Sequence, residues 1–152
     1  MRFEFARSYR MPAGRLFALH ETPETLARLV RGWPALTLVS HDGHIRIGAL
    51  TRVTARVGPF SMAMTFRHFV YEPPRLFGEA MVTGPFSKCE HLHHFEPDGE
   101  FLTRVRDALE IRLPWYLGGD WAVRWTVVPR LKACFAARQD ELERMVQELA
   151  GQ

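Results

Sequence analysis

The fold is decided by residues 86–113, which read FSKCEHLHHFEPDGEFLTRVRDALEIRL. Apolar and polar side chains alternate on both sides of residues 97–100, Pro-Asp-Gly-Glu, whose composition is typical of a turn. An alternation with a period of two predicts β-strands, so we expect antiparallel strands over 86–96 and 101–113. Each carries apolar side chains on one face and charged side chains on the other, which indicates a sheet with one buried face.

The same period of two extends upstream from this hairpin. It predicts further strands over 2–9, 36–39, 45–57, 60–71 and 75–83. The segments Gly58-Pro59, Glu72-Pro73-Pro74 and Gly84-Pro85 separate them with residues that favour turns. In both long strands every other residue is predicted to face the core, from Ile45 to Val57 and from Phe60 to Val70.

Helical periods occupy the rest of the chain. One helix is predicted from Met11 to His20 with Pro12 in its first turn, and a second follows the natural N-cap Thr22 and ends at Gly32. The last helical stretch runs from about 119 to 150, and Pro129 predicts a kink or a late start.

These elements predict one α+β domain over residues 1–152. About seven antiparallel strands form a curved sheet wrapped on the long C-terminal helix, with two short helices after the first strand. A strongly curved sheet on one helix can enclose a cavity.

The composition excludes several classes of protein. The 152 residues are 47% hydrophobic, which is too apolar for a disordered chain. No uncharged run reaches the roughly 17 residues of a membrane-spanning helix, and no secretory signal is apparent, so we expect a cytoplasmic protein without integral membrane association. The isolated Cys89 and Cys134 predict buried thiols in a reducing compartment. The net charge is +3 without a basic run, so no nucleic-acid partner is expected; the oligomeric state stays open.

Several short motifs follow one another in a defined order along the chain. They are Leu16-Phe17-Ala18-Leu19-His20 with Thr22-Pro23-Glu24, Tyr71-Glu72-Pro73-Pro74-Arg75-Leu76-Phe77, Gly84-Pro85-Phe86, His91-Leu92-His93, Thr103 with Asp107 and Pro114, and Phe135 with Arg138. Together they resemble the START-like (SRPBCC) superfamily, in particular its small bacterial polyketide cyclase/dehydrase-like, ligand-binding members. The resemblance implies a helix-grip fold with a hydrophobic cavity between the sheet and the C-terminal helix. Members range from lipid carriers to aromatic polyketide cyclases, so the resemblance fixes no ligand.

A polar cluster is predicted inside this cavity. Cys89, His91 and His93 share the apolar face of one strand, and Asp107 lies on the apolar face of the next. A buried aspartate must be paired, and a histidine is the obvious partner. The pair is either structural, or it orients a ligand carbonyl, or it acts as a general acid and base.

The register of the hairpin decides which of these residues meet. If the turn keeps Phe95 opposite Phe101, the facing pairs are Thr103 with His93, Val105 with His91, and Asp107 with Cys89.

We expect a ligand to contact the Met- and aromatic-rich lining together with this cluster, because methionine adapts to variable ligand shapes. Trp115 beside Gly118-Gly119 either caps the mouth of the cavity or packs into the core. The candidate catalytic residues are His91, His93 and Asp107. The predicted ligand-binding residues are Phe60, Met62, Met64, Phe66, His68, Cys89, His91, His93, Phe101, Thr103, Val105, Asp107, Trp115, Trp125 and Phe135.

A metal site is the less favoured interpretation of the same cluster. Cys89, His91 and His93, with His68 as a further donor, have ligand types that suit zinc. Alternate residues of one strand lie roughly 6.5–7 Å apart, which makes convergence on one ion difficult, so no metal and no other cofactor is expected. No Ser-His-Asp spacing, phosphate loop, dinucleotide-binding turn or HExxH motif occurs.

Three functions follow from the sequence. The favoured one is non-enzymatic binding of a small hydrophobic molecule, either lipid-like or aromatic and polyketide-like. The alternative is a polyketide cyclase/dehydratase-type enzyme that moves protons with the His/Asp cluster. A third is an interaction module whose outer, arginine-rich sheet face meets an anionic partner, through Arg46, Arg52, Arg56, Arg104, Arg106 and Arg112.

Overall fold

The computed structural model describes residues 1–33, 36–57 and 59–151. Within these residues the strands are β1 (Arg2–Tyr9), β2 (Leu36–His41), β3 (Leu50–Val57), β4 (Phe60–Glu72), β5 (Leu76–Thr83), β6 (Lys88–Pro97) and β7 (Thr103–Arg112). The helices are α1 (Ala13–His20), α2 (Pro23–Arg31), α3 (Gly119–Ala122) and α4 (Val128–Ala150). A 3₁₀ turn covers Trp115–Leu117, and a π-helical segment, Val123–Val127, joins α3 to α4.

All seven strands found in the described residues belong to one antiparallel sheet with the order β1-β7-β6-β5-β4-β3-β2. Strands β2 to β7 form a meander, and β1 pairs with β7 at the edge. The sheet is curved around the bent C-terminal helix, which confirms the predicted α+β, helix-grip architecture. No helix in the described part of the chain is long and apolar enough to cross a membrane.

The register of the β6–β7 hairpin differs from the prediction. Phe95 lies opposite Val105, and His93 lies opposite Asp107, so the expected pairing of Phe95 with Phe101 was wrong. The connection is longer than a tight turn, because the Asp98 amide donates to the Leu102 carbonyl at 2.9 Å and Gly99 takes a φ of +94°. The two registers differ by an even number of residues, so the predicted inward faces were nevertheless correct.

Strand β3 begins five residues later than predicted, at Leu50 rather than residue 45. The chain turns at Gly48, whose φ of +89° suits glycine and whose amide donates to the His68 carbonyl at 2.8 Å. As a result Ile45 and Ala49 are buried while Ile47 is exposed, so these residues do not share one face of a strand. The predicted turn residue Gly58 and the side chain of Val57 lie outside what the structure describes.

An irregularity in β4 corrects another predicted face. The register against β5 shifts between His68 and Val70, so that Tyr71 rather than Val70 pairs opposite the buried Phe77. A bulge adds one residue to one strand and thereby reverses the facing of the residues that follow. Tyr71 therefore packs against the core, and the prediction that Val70 shares the inward face of His68 was wrong.

The helix ends follow their sequence signals with one exception. The Thr22 hydroxyl accepts a hydrogen bond from the Thr25 amide at 3.3 Å, and Pro23 opens α2, as predicted. Pro12 is the N-cap of α1 rather than a residue of its first turn. Near Pro129 the helix is π-helical over Val123–Val127, because proline cannot donate to a carbonyl of the preceding turn and the backbone widens there.

The apolar interior of the described residues divides into two clusters. The closed cluster lies under α1 and the C-terminal half of α4, and includes Tyr9, Leu16, Phe17, Phe77, Phe95, Val105, Leu142, Met145 and Val146. The cavity cluster lies under the N-terminal half of α4 and is built on Cys89, Leu109, Ile111, Val123 and Phe135.

Candidate functional site

The main cavity lies between the sheet and the pair α2–α4, and its volume is about 180 Å³. Arg28 ties the two helices together, since its guanidinium donates to Glu141 and to Glu148 at 2.7 Å each. The apolar wall includes Leu26, Val30, Leu36, Val53, Leu131 and Phe135. Of the predicted ligand-binding residues, the structure brings Met64, Phe66, Cys89, His91 and Phe135 to this cavity.

A smaller space of about 40 Å³ lies beside the main cavity and is lined mostly by polar side chains. The two spaces share Leu26, Thr51, Glu79 and Arg138 in their walls. Histidines dominate the smaller one, namely His20, His41, His68 and His93. The interior therefore contains an apolar main cavity and, adjoining it, a smaller space with mostly polar walls.

Asp107 is the centre of a buried polar cluster next to the smaller space, whose wall includes His93 and Arg138. Its Oδ1 lies 2.7 Å from His93 Nδ1 and accepts a hydrogen bond from His91 Nε2 at 3.1 Å. All three side chains are buried. The Arg138 Nη2 lies 3.3 Å from His93 Nδ1, which brings a guanidinium to the same group. Asp107 thus fixes the orientation of two imidazole rings, and only the ring of His91 reaches the wall of the main cavity.

The charges in this cluster are set by burial and by Arg138. Burial alone raises the pKa of Asp107, but the charge of Arg138 and the hydrogen bonds from both histidines outweigh it and hold this pKa well below its usual range. Burial, followed by the charges of His91 and Arg138, lowers the pKa of His93 well below its usual value. Near neutral pH the cluster therefore holds an ionised Asp107 and a neutral His93.

Glu79 faces the cluster from β5 and was not predicted. Its carboxylate lies 3.9 Å from His91 Nδ1 and 3.9 Å from His68 Nε2. In the described residues, Glu79, His91 and His93 are the one group whose donor atoms, within 4.8 Å of one another, could hold a metal ion. Cys89 is not in this group, and burial, followed by the charges of Glu79 and Glu90, raises the pKa of its thiol to about 12.

Two buried nitrogen atoms have no hydrogen-bond partner among the described residues, Trp33 Nε1 and His20 Nε2. Trp33 lines the main cavity, and His20 lines the smaller space. Leaving a buried donor or acceptor unpaired costs about 1–3 kcal/mol, so both positions favour a polar occupant of the interior.

The other predicted site residues lie elsewhere. His68 and His93 line the smaller space, whereas Thr103, Val105 and Asp107 are buried without lining either cavity. Thr103 instead donates to the Met11 carbonyl at 2.7 Å. Met62 is half-buried and apart from both cavities. Four aromatic residues that were expected to contact the ligand are exposed, namely Phe60, Phe101, Trp115 and Trp125. Phe101 is exposed because it belongs to the loop before β7.

The cavity residues that the sequence reasoning missed include three with polar side-chain atoms, namely Trp33, Glu79 and Arg138. Glu79 had a usable signal, since it alternates with the buried Phe77 on one strand. Arg138 follows Phe135 by three residues, a spacing that places both on one face of a helix. Trp33 lies after the end of α2, where no periodicity applies.

Comparisons with solved structures show that several known proteins share this fold. A START superfamily protein from Mycobacterium smegmatis is 13% identical, with a TM-score of 0.70 over 97% of this chain and 98% of that chain. The Zhui aromatase/cyclase from Streptomyces sp. R1128 is 13% identical, with a TM-score of 0.67 over 96% and 95%. Norcoclaurine synthase from Thalictrum flavum, solved with dopamine and hydroxybenzaldehyde, is 17% identical, with a TM-score of 0.69 over 97% and 87%.

The sequence itself gives the family. Residues 10–136 match the family model described as polyketide cyclase/dehydrase and lipid transport, and the chain belongs to that family. No curated protein matches the sequence at a significant level. Family membership confirms the predicted resemblance and the predicted general function, the binding of a small hydrophobic ligand.

Proposed function

We propose that the main cavity binds one compact hydrophobic molecule that carries a polar oxygen, such as an aromatic carbonyl compound. The supporting observation is the asymmetric wall, which is apolar along α2, β3 and α4 and polar at His91, Glu79 and Arg138. Cavities of this kind bind by burying apolar ligand surface and use a few polar groups to orient it.

The volume limits the size of the ligand. An apolar cavity of about 150 Å³ admits benzene, so the observed volume of about 180 Å³ suits a single substituted ring or a short acyl chain. Larger ligands require the walls to move. The solved relative that holds dopamine and hydroxybenzaldehyde has ligands of this size and chemistry, which supports the aromatic class.

The polar oxygen has a candidate donor in Trp33. The indole N–H of Trp33 is buried and lacks an acceptor in the described part of the chain. A carbonyl oxygen in the cavity would accept this hydrogen bond, whereas a hydrocarbon of the same shape would leave the donor unpaired.

Calorimetric titration with acetophenone and isopropylbenzene tests both parts of the proposal, since these probes have similar shapes and differ in the carbonyl. We expect both to bind, acetophenone more tightly. Trp33→Phe is expected to reduce acetophenone affinity about fivefold and to leave isopropylbenzene unaffected. The matched control is Trp121→Phe, on an exposed residue that does not line the cavity. Absence of binding by either probe, in titration and in thermal shift, would overturn the assignment of the cavity.

A second candidate function, proton-transfer catalysis of the cyclase or dehydratase type, is favoured by one observation. His91 lines the cavity and is hydrogen-bonded to the buried carboxylate of Asp107, an arrangement that positions an imidazole for acid–base chemistry. If a substrate is found, His91→Gln is expected to lower its turnover at least about a hundredfold while the protein still binds acetophenone. Undiminished turnover in this variant would eliminate the catalytic function of His91.

A further inference from the structure

Residues 112–132 carry an unusual concentration of exposed aromatic side chains. Three of the four tryptophans of the protein lie here, and Trp115, Trp121 and Trp125 are 86%, 72% and 65% exposed. Tyr116 and Leu117 beside them are 68% and 48% exposed. We call these five residues the aromatic patch. Large exposed apolar patches on a folded domain mark surfaces that contact a partner or a membrane.

The exposed tryptophans are not the residues with which this segment covers the core. The segment from α3 into α4 has a separate inward side, on which Val123 is fully buried and Val127 and Leu131 line the cavity. Trp121 and Trp125 of this segment are exposed and therefore lie on its outward side. The segment therefore carries large apolar residues on both its inward and its outward side. Contact with the core of this chain explains only those on the inward side.

Charge identifies the partner that this surface fits. The exposed charged residues of the segment are four basic ones, Arg112, Arg124, Arg130 and Lys132, and one acidic one, Asp120. A second copy of the chain would bring the same positive charge against it, which is unfavourable. Tryptophan and tyrosine beside arginine and lysine, by contrast, are typical of surfaces that lie in the interface of an anionic bilayer.

We propose that the aromatic patch docks the protein on anionic lipid bilayers, with the indole rings in the headgroup region and the basic residues against the lipid phosphates. The proposal rests on the proposed function of the cavity, because docking on a bilayer serves to deliver a ligand to it. Val127 and Leu131 form both the underside of the docked segment and one wall of the cavity. A hydrophobic ligand could then pass between bilayer and cavity with little exposure to water. The π-helical turn between α3 and α4 lies within this segment, and such turns frequently occur at functional sites.

Vesicle flotation tests the proposal directly. We expect the full-length protein to float with vesicles of 70% phosphatidylcholine and 30% phosphatidylglycerol and to remain unbound with pure phosphatidylcholine. Raising the ionic strength should weaken the association, because exposed charges are screened. The tryptophan emission should shift to shorter wavelength on binding, and brominated lipids should quench it. Flotation independent of lipid charge and of salt would overturn the electrostatic part of the proposal, and absence of flotation would overturn it completely.

Matched variants assign the effect to the patch. Trp121→Ser with Trp125→Ser is expected to reduce vesicle affinity about tenfold or more, since two rings no longer enter the interface. Arg124→Gln should cost about fivefold, and Arg104→Gln, on the outer face of β7, should have no effect. Phe69→Ser is the aromatic control, because Phe69 is exposed on β4 away from the segment. Equal losses in patch variants and controls would contradict the proposal.

Two further measurements separate the possible failures. Sedimentation of the wild type and of the double tryptophan variant, without lipid, detects self-association. A concentration-dependent dimer that the variant abolishes would show an interface between copies and overturn the membrane proposal. Acetophenone titration of the double variant is expected to match the wild type, because neither residue lines the cavity. A wild type that binds vesicles but not acetophenone would refute the cavity function while leaving the docking surface intact.

Discussion

The two ends of the interior use the same strands and the same helix, yet one is packed and the other is hollow. On β6 and β7, Phe95 and Val105 belong to the closed cluster, whereas Cys89 and Ile111 belong to the cavity cluster. The closed end is filled by α1, which adds Phe17 against the rings of Phe77 and Phe95. The hollow end is covered by α2 and the start of α4, which leave the main cavity open.

The polar cluster lies where the two ends meet. Along β6, His93 and His91 come between Phe95 and Cys89, and along β7, Asp107 comes between Val105 and Leu109. The face of His93 stacks on Phe77 of the closed end at a ring-centroid distance of 4.3 Å, while the ring of His91 meets Phe135 of the hollow end edge-on at 5.4 Å. A hydrogen-bonded polar group in this position separates a close-packed core from a space that a ligand can occupy.

The largest effect on stability is expected from a substitution that removes the carboxylate at the centre of this polar cluster. Asp107→Ala should lower the free energy of unfolding by about 3–5 kcal/mol, because it leaves the buried Arg138 and two buried histidines without their carboxylate. Urea denaturation measures the loss. Glu110→Ala on the same strand is the control, since Glu110 faces outward in partly exposed ion pairs with Arg2 and Lys88. Similar losses in both variants would mean that the buried cluster is not a stabilising unit.

A matched pair of truncations in α4 tests the packed and hollow ends directly. Leu142→Ala, in the closed cluster, should cost about 2–5 kcal/mol of unfolding free energy because it creates a new cavity. Leu131→Ala, on the wall of the existing cavity, should cost about 1 kcal/mol because its side chain is half-buried and already borders empty space. Denaturant unfolding of both variants gives the comparison. Equal costs would indicate that the hollow end closes in solution.

A last prediction concerns pH and His20, which packs against Phe77 and Phe95. Burial and then the charge of Arg138 lower the pKa of His20 to about 4, against the opposing effects of the Leu16 carbonyl and Asp107. The unfolded chain, with a histidine pKa of about 6.5, therefore binds a proton that the folded protein excludes, so stability is lost as the pH falls from 6.5 toward 4. Between pH 7 and pH 5 this contributes about 2 kcal/mol of lost stability.

His20→Asn isolates this contribution, since an amide can still donate to the Leu16 carbonyl that His20 Nδ1 contacts at 2.8 Å. Denaturation at pH 7 and pH 5 should show a loss of stability about 2 kcal/mol smaller in the variant than in the wild type. Other groups titrate in both proteins, so the difference reports His20. The same pH dependence in both would refute a neutral, buried His20.

The elements that could be predicted from the sequence were those with strong local signals. The period of two in β6 and β7 indicated the inward faces, and Thr22-Pro23 indicated the start of α2, because each depends on neighbouring residues only. The register of the hairpin was not predictable in the same way. Both registers bury the same faces, and the choice depended on the backbone conformation of the loop around Gly99.

The same distinction between local signals and tertiary structure applies to the residues of the candidate site. His91 and Cys89 were expected at the cavity because they alternate with charged residues on one strand, and the structure brings both to its wall. Phe60 and Phe101 were expected there for the same reason, yet both are exposed. Phe60 is the first residue of β4 and Phe101 lies in the loop before β7, so the alternation extends beyond the part of each strand that faces the core.

The sequence by itself determined the α+β class, the meander of strands, the family resemblance and the inward position of Asp107, because periodicity, turn residues and short motifs are local properties. Only the tertiary structure decided that Asp107 meets His93 and His91, that Glu79 and Arg138 join them, and that the tryptophans of residues 112–132 face outward. These facts depend on contacts between residues distant in the chain. Such contacts are fixed by strand register and by how helices cover the sheet, and no local pattern encodes either one.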